Sequence, residues 1–299
     1  MALILTHQLP MMTIIPSETP QRDMHQYLLG AVAPRPIAFA STVDADGNAN
    51  LAPYSFFNAF SSNPPIVVFS SNRRSDDNTT KDTLHNIEQT MEVVINVVSH
   101  DIVQQMALAS IDYPTGVSEF DKAGLTPVPS EDVRPFRVKE SPVQMECKVQ
   151  QIIALGDGPG AGHLIICHVV KMHLDERILD AQHRIDPHKI DLMGRMGRAF
   201  YTRASGAAIE TIVQPVHVIG VGFDGLPDFI RHSPVLTGNE IAKIAALAAL
   251  PTEAEVELFW KENPSFNAAA SEEEAHLKAR ELLKDSRAAD AAKILMRRI

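Results

Sequence analysis

Apolar and polar positions alternate with a period of two over most of the N-terminal two thirds of the chain, the pattern of half-buried strands. IAFASTV (37–43) is β-branched and alternating. DADGN (44–48) follows with the turn dipeptide Asp46-Gly47, and ANLAPYSFFNAF (49–60) returns as a second strand, completing a hairpin. PPIVVFSS (64–71) has the apolar content of a strand buried on both faces, and MEVVINVVS (91–99) is a further strand. SPVQMECKVQQIIAL (141–155) and GHLIICHVVKMHLD (162–175) are two long alternating strands turned by GDGPGA. Helical patterns are short here: TKDTLHNIEQT after the polar NRRSDDNTTKDT, and SHDIVQQMALAS with Ser99 or Asp101 near its start. Residues 111–139, rich in Pro, Gly and Asp, read as one long irregular loop of the kind that carries function.

From residue 207 the period changes. PDFIRHSPVLTGNEIAKIAALAALPTEAEVELFW predicts short helices broken at prolines, and residues 271–299 predict one long terminal helix. Ser271 and Glu274 have the capping-box spacing, acids gather at the start, Arg297 and Arg298 stand at the end, and Leu277, Ala279, Leu282, Leu283, Ile294 and Leu295 form an apolar stripe. The predicted organisation is a mainly β domain over 20–206 and a mostly helical extension over 207–299, packed on the barrel or on a dimer partner. Strands joined by hairpins, not by crossover helices, argue for a closed antiparallel barrel.

Composition narrows the function classes. A formal net charge of −10 over 299 residues argues against a dedicated nucleic-acid binder, which needs a basic surface. No apolar run approaches the ~20 residues that span a bilayer. The apolar start, MALILTHQLPMMTIIPSE, lacks a basic n-region and a clear cleavage site; it reads as a leader or docked arm, with Met11 or Met12 as alternative starts. Cys147 and Cys167 form no CxxC pair and sit in strand-like runs, so both are expected buried and reduced, as in the cytoplasm.

Two stretches carry candidate chemistry. SSNRRSDDNTTKDT (70–83) leaves a buried strand and enters a helix, offering hydroxyls (Ser70, Ser71, Thr79, Thr80, Thr83) and cations (Arg73, Arg74, Lys81). A helix N-terminus presents free N–H groups, so with Lys81 and Thr83 in its first turn this is a candidate phosphate cradle; a solvated loop capped by Thr or Asp is the plainer alternative. NLAPYSFFNAFSSNPP (50–65) mixes flat hydrophobes with amides and hydroxyls. Its Ala and Pro admit a flat ring close to the backbone, its Asn and Ser bond to ring edges, and Pro53 marks an edge or bulge. A flat polar-edged ring beside a phosphate describes flavin mononucleotide. Gly156, Gly158, Gly160 and Gly162 are no dinucleotide fingerprint, because strands flank them on both sides. His183, His188, Asp180, Asp186 and Asp191 lack the i, i+4 spacing of a two-His metal site, and His163, His168 and His173 alternate faces of a strand, so no metal is expected.

APRPIAFASTVDADGNANLAPYSFFNAFSSNPPIVVFSS with KDTLHNIEQTMEVVINVVS resembles the flavin reductase-like family with its FMN-binding split barrel, nearest the flavoredoxin and monooxygenase reductase-component branch, over roughly 25–205. PRPIA, the G-x-x-N-L-A-P-x-S-x-F strand and the K-D-T-x-x-N-I helix entry carry the likeness. The resemblance implies a homodimer with FMN near its interface (FAD as the alternative flavin) and NADH or NADPH as hydride donor. A monooxygenase or other redox partner is the implied acceptor, and an electron carrier or a non-catalytic flavin-binding barrel are the rival functions. It implies flavin contacts from Asn50, Leu51, Ala52, Pro53, Tyr54 and Ser55, and phosphate contacts from Lys81, Asp82 and Thr83 with Ser70, Ser71 and Arg73. Arg35 and Thr42 are further candidates, and Arg195 and Tyr201, within 183–203, would close over the flavin or nicotinamide.

Overall fold

The computed structural model describes residues 11–114, 116–212, 219–264, 266 and 271–297. The chain divides into two units, the first ending at Glu210 and the second beginning at Thr211. Residues 1–10 of the expected leader or arm (1–18) and Arg298 lie outside the described residues; within its described part Pro16–Glu18 forms a single 3-10 turn.

Strands of the first unit are β1 (Ala38–Val43), β2 (Ala49–Tyr54), β3 (Phe57–Ser62), β4 (Pro65–Asn72), β5 (Glu92–Val97), β6 (Pro127–Val128), β7 (Arg137–Val138), β8 (Val143–Ala154), β9 (Gly162–Leu174), β10 (Met193–Gly197) and β11 (Phe200–Arg203). Seven make one sheet in the order β2-β1-β5-β8-β9-β4-β3, each pair antiparallel. The β1–β2 turn is built by Asp44, whose Oδ1 accepts the N–H groups of Asp46 (2.9 Å) and Asn48 (2.8 Å), while Gly47 takes φ 91°, open to glycine without strain.

β2 and β3 are opposite edges of this sheet, yet only Ser55 and Phe56 separate them in sequence. The sheet therefore curls until its edges meet, and the Ser70 N–H to Phe56 carbonyl bond (2.8 Å) lies at that seam. The ladder does not close. The strand pattern and the structure differ twice here: 49–60 is two strands, not one, and the sheet does not close; the split barrel implied by the resemblance is what forms. The cause lies on the free edge of β2. Pro53 has no N–H to donate, and the Leu51 N–H is taken by the Glu119 carboxylate (2.9 Å), so β2 cannot zip onto β3.

Helices of this unit are short: α1 (Gln21–Ala31), α2 (Asp82–Thr90), α3 (Val103–Leu108), α4 (Glu119–Ala123) and α5 (Pro187–Ile190). Inside the curl Ala38, Ala40, Phe69, Ile95, Cys147, Ile165 and Cys167 pack with Leu84 and Ile87 of α2. On the outer face Ile37, Phe39, Leu51 and Val98 pack with Met106 of α3 and Phe120 of α4. Burying side chains of this size stabilises by roughly 1.5–3 kcal/mol each. Both faces of β1 and β2 are thus covered, which removes the alternation a one-faced strand would show. β4, expected buried throughout, has its first residue exposed and alternates from there to Phe69. The 111–139 stretch, expected irregular, folds α4 and the β6–β7 pair. Both cysteines are buried and unpaired; burial pushes the Cys147 thiol up to about 12 and the Cys167 thiol well above its ordinary value.

The second unit holds α6 (Asp228–Arg231), α7 (Gly238–Ala245), α8 (Glu253–Glu262), α9 (Glu272–Lys284) and α10 (Ala288–Leu295), packed around Ile230, Ile244, Trp260, Leu283 and Ile294. The predicted single terminal helix is two: the chain breaks at Asp285–Arg287, where Ser286 adopts φ 60°. Ser271 caps α9 by accepting the Glu274 N–H (3.2 Å), and Leu277 of the predicted stripe is exposed. No helix among the described residues is long and apolar enough to cross a membrane.

Candidate functional site

The split edge of the sheet opens into a cleft. Its wall is β2, through Asn50, Ala52, Pro53 and Tyr54. Its end is the first turn of α2 with Lys81, Asp82 and Thr83; its rim is Arg74 and the segment Ala109–Tyr113; and Glu119 reaches in from α4. Two segments distant in sequence from β2 thus complete a site that β2 begins.

The polar geometry is specific. Asn50 on β2 donates through Nδ2 to Thr83 Oγ1 (2.8 Å) and to Thr42 Oγ1 (3.3 Å), tying the wall to the helix start. Lys81, at the N-cap of α2, has extended backbone (φ −89°, ψ 153°) and gives the helix no side-chain cap. Among the described residues the N–H groups of Asp82 and Thr83 have no acceptor, so α2 presents free donors and partial positive charge to the cleft. The Lys81 ammonium lies 5.8 Å from the centroid of the Tyr54 ring. Arg74 bonds the Thr80 carbonyl (2.9 Å) and bridges to Asp112 (3.3 Å), linking the two lips.

Tyr54 is buried with its ring 5.2 Å from that of Phe69. Burial raises its phenol; the hydroxyls of Thr83 and Ser71 lie near enough to pull it partly back without closing a hydrogen bond of good geometry. Burial also pushes the Glu119 carboxyl up against the pull of the Leu51 N–H, and the Asp82 charge adds to the rise.

The structure brings Asn50, Ala52, Pro53, Tyr54, Lys81, Asp82 and Thr83 together, and an adjoining cleft, sharing Pro53, adds Ser55, Arg195 and Tyr201. The other predicted contacts lie elsewhere. Leu51 points into the outer core, since residues flanking a strand position face the opposite side. Thr42 is fully buried and accepts from Asn86 Nδ2 (3.1 Å). Ser70 is turned onto Asn72 Oδ1 (2.9 Å), Ser71 is buried beneath Tyr54, and Arg73 is committed to Asn78 through Oδ1 (2.8 Å) and the carbonyl (2.5 Å). Arg35 is buried, donating to the Leu29 (2.5 Å) and Val32 (2.6 Å) carbonyls at the end of α1.

Sequence reasoning left Arg74 outside the final contact set and missed Glu119 and Ala109–Tyr113. Arg74 was visible as a cation in a polar loop; nothing local marks Glu119, whose role comes from where α4 docks. His100, Asp101 and Asp191 also converge to within 4.8 Å, but Arg203 already forks the Asp191 carboxylate (2.7 and 2.6 Å).

Residues 30–188 match the model of the flavin reductase like domain, more than half of the chain. A protein of Aquifex aeolicus is 37% identical over 195 residues, 65% of this chain and 97% of the relative. Component B of a nitrilotriacetate monooxygenase from Bacillus cereus superposes with TM-score 0.63 at 32% identity, covering 68% of this chain and 100% of that one. The 2-nitrobenzoate 2-nitroreductase NbaA of Pseudomonas fluorescens superposes at 0.60 with 28% identity, over 68% and 96%. The chain belongs to the flavin reductase-like family, and its sheet-dominated fold is that of the family.

Proposed function

We propose that the cleft along β2 binds FMN and that the protein is an NAD(P)H:flavin oxidoreductase, passing reduced flavin or its electrons to an acceptor such as a monooxygenase component. The observation that carries this reading is the uncapped start of α2, with Lys81 and Thr83, at the end of a wall made of Ala52 and Pro53. The first fits a phosphate and the second admits a flat ring, so the residues present fit FMN. Likeness to component B of a monooxygenase supports the transfer role, and the flavin, when bound, supplies the hydride and electron chemistry.

The residues divide the remaining work. Lys81 and the N–H groups of Asp82 and Thr83 hold the phosphate. Asn50, fixed by Thr83, presents its amide to the ring edge, and Tyr54 backs the wall. The carboxylates of Asp82 and Glu119 suit the hydroxyls of a ribityl chain as acceptors. Segment Ala109–Tyr113, latched by Arg74 to Asp112, excludes water from one side. Leu51, Ser70, Ser71 and Thr42 support the wall from beneath, and FAD would need room beyond the phosphate end.

The same reading makes the working form a homodimer. β3 is a sheet edge whose residues Asn58–Ser62 are all exposed, with Phe60 at 68%, which suits burial against a second copy. Two buried reduced thiols suit the cytoplasm.

The test is an absorbance spectrum of the purified protein reconstituted with FMN, followed by anaerobic addition of NADH and then NADPH. Flavin bands that bleach support the reductase and name its donor. Bound flavin that resists both donors but is reduced by a protein partner makes the chain an electron carrier. Failure to take up FMN overturns the reading.

A further inference from the structure

The base of the β10–β11 hairpin forms one wall of a pocket that shares no residue with the cleft along β2 and only Ile37 with the adjoining one. Gly194 pairs with Thr202 at that base, and Arg195 with Tyr201 one step on, so Thr202 and Tyr201 stand on opposite faces of the ribbon. The other walls are Ile37 just ahead of β1, Phe57 at the start of β3, Val97 at the end of β5, and Leu192 and Ala204 flanking the hairpin. Among the residues that line the pocket Arg35 alone carries a charge, and Thr202 is the only other polar side chain.

Arg35 is only 4% exposed. Its Nη1 donates to the carbonyls of Leu29 (2.5 Å) and Val32 (2.6 Å) at the end of α1, which fixes the plane of the guanidinium. Its Nε and Nη2 are buried and have no hydrogen-bond partner among the described residues. Those two nitrogens form the edge through which an arginine forks a carboxylate. Three other arginines of this chain use that edge in this way: Arg177 on Asp175, Arg203 on Asp191 and Arg287 on Asp290. Among the described residues no other buried side chain leaves two polar atoms unpaired. Burial, and after it the Arg195 charge, lower the Arg35 guanidinium. Buried N–H groups without partners cost free energy, and an anion set against them removes that cost.

We propose that this pocket binds a small aliphatic carboxylate, its head forked by Nε and Nη2 of Arg35 and its chain lying against Ile37, Phe57, Val97 and Leu192. Apolar walls with one convergent cation select a molecule that is singly charged at one end and apolar elsewhere. A phosphate would bury oxygens that these walls cannot pair. The proposal does not rest on the flavin reading, because the cleft along β2 and this pocket have no lining residue in common.

The test is calorimetric titration of the full chain with octanoate and with its neutral isostere octanamide, with and without saturating FMN, repeated on Arg35→Met and Ala204→Phe. Ala204 is half-buried in the pocket wall, so Ala204→Phe fills the pocket while leaving the bonds of Arg35 in place. A charge-assisted fork corresponds to about tenfold or more in affinity. The expected result is octanoate preferred over octanamide by about that factor, the preference lost in Arg35→Met, both probes weakened about tenfold in Ala204→Phe, and no effect of FMN. Circular dichroism reports whether Arg35→Met folds; where it does not, Ala204→Phe decides alone. Equal affinities, no binding of either probe, full affinity in Ala204→Phe, or displacement of octanoate by FMN overturns the proposal. Octanoate preference in a protein that takes up no FMN would overturn the flavin reading and leave this one standing.

Discussion

Two kinds of helix start occur in this chain. α7 and α8 open with complete capping boxes: Thr237 and Glu240 in one, Thr252 and Glu255 in the other, each hydroxyl on the N3 N–H and each carboxylate on the N-cap N–H. α2, nine residues long, opens on Lys81 with no cap, although Asp76, Asp77, Thr79 and Thr80 immediately precede it. Those residues shape the loop instead: Asp77 Oδ1 accepts the N–H (2.9 Å) and hydroxyl (2.7 Å) of Thr79, and the Thr80 hydroxyl meets His85 Nε2. An uncapped start costs a helix about 1 kcal/mol. α1, α3, α6 and α10 also start without a side-chain cap, but those starts lie outside the cleft. On the flavin reading, the start of α2, which lines the cleft, keeps its donors for an anion.

Lys81→Asp should break this difference most visibly. It gives α2 the cap it lacks and removes the cation, replacing it with a charge that repels phosphate. FMN affinity should fall by roughly tenfold to a hundredfold, the equivalent of a charge-assisted contact of about 1.5–3 kcal/mol. Stability of the flavin-free protein should rise by about 0.5–1 kcal/mol. Fluorescence titration with FMN and chemical denaturation read the two effects separately, and unchanged affinity would remove the phosphate from this helix.

Glu119 tests the other half of the cleft. Glu119→Ala leaves the Leu51 N–H without its partner at the edge of β2, a loss of about 1–3 kcal/mol in denaturation. Glu119→Gln keeps an acceptor for that N–H and should lose less than half as much. Equal losses from both substitutions would mean that the Leu51 contact does not hold the split edge.

These two residues also mark what the sequence makes legible. Lys81 is readable because it stands at a polar-loop-to-helix boundary, a local signal. Glu119 lies within a stretch whose composition looks irregular, and only the docking of α4 on the outer face of β2 brings it to the cleft. The long strands β8 and β9 announce themselves by alternation. The division between β2 and β3 does not, because Ser55 and Phe56 carry no turn chemistry and the chain bends there only when the sheet curls. The break between α9 and α10 is hidden for a similar reason: Ser286 takes a left-handed conformation with no glycine to signal it. The resemblance assigns Thr42 and Leu51 to the flavin by their strands, but parity turns Leu51 to the outer core, and Thr42, on the face of Asn50, is buried beneath it as an acceptor.

Acid should separate the two units. His276 is buried with Nδ1 against Ser233 Oγ (2.6 Å), and burial lowers its pKa from 6.5 against the opposing pull of Glu272. The unfolded chain therefore takes the proton first, and the second unit should begin to lose stability as pH falls through 6.5. In the first unit, burial of Glu146 would raise its carboxyl. The N–H groups of Glu131 (3.0 Å) and Asp132 (2.6 Å) and the His173 ring (2.7 Å) outweigh that and hold it below 4.5. Its contribution is full above 4.5 and is lost as pH falls through and below that value. Thermal unfolding from neutral pH downward should show the second unit weakening first, and His276→Gln should remove the early loss. A first unit that weakens first would contradict this assignment.

The smallest effect closes the comparison from the other side. Thr237→Ala removes the hydroxyl that accepts the Glu240 N–H (3.3 Å) and should destabilise the second unit by about 1 kcal/mol. FMN affinity should not change, because α7 belongs to a start already satisfied by its own side chains. If Thr237→Ala instead weakened FMN binding as Lys81→Asp does, capped and uncapped starts would not divide into structural and ligand-binding roles, and the helix-start argument for the phosphate would fail with it.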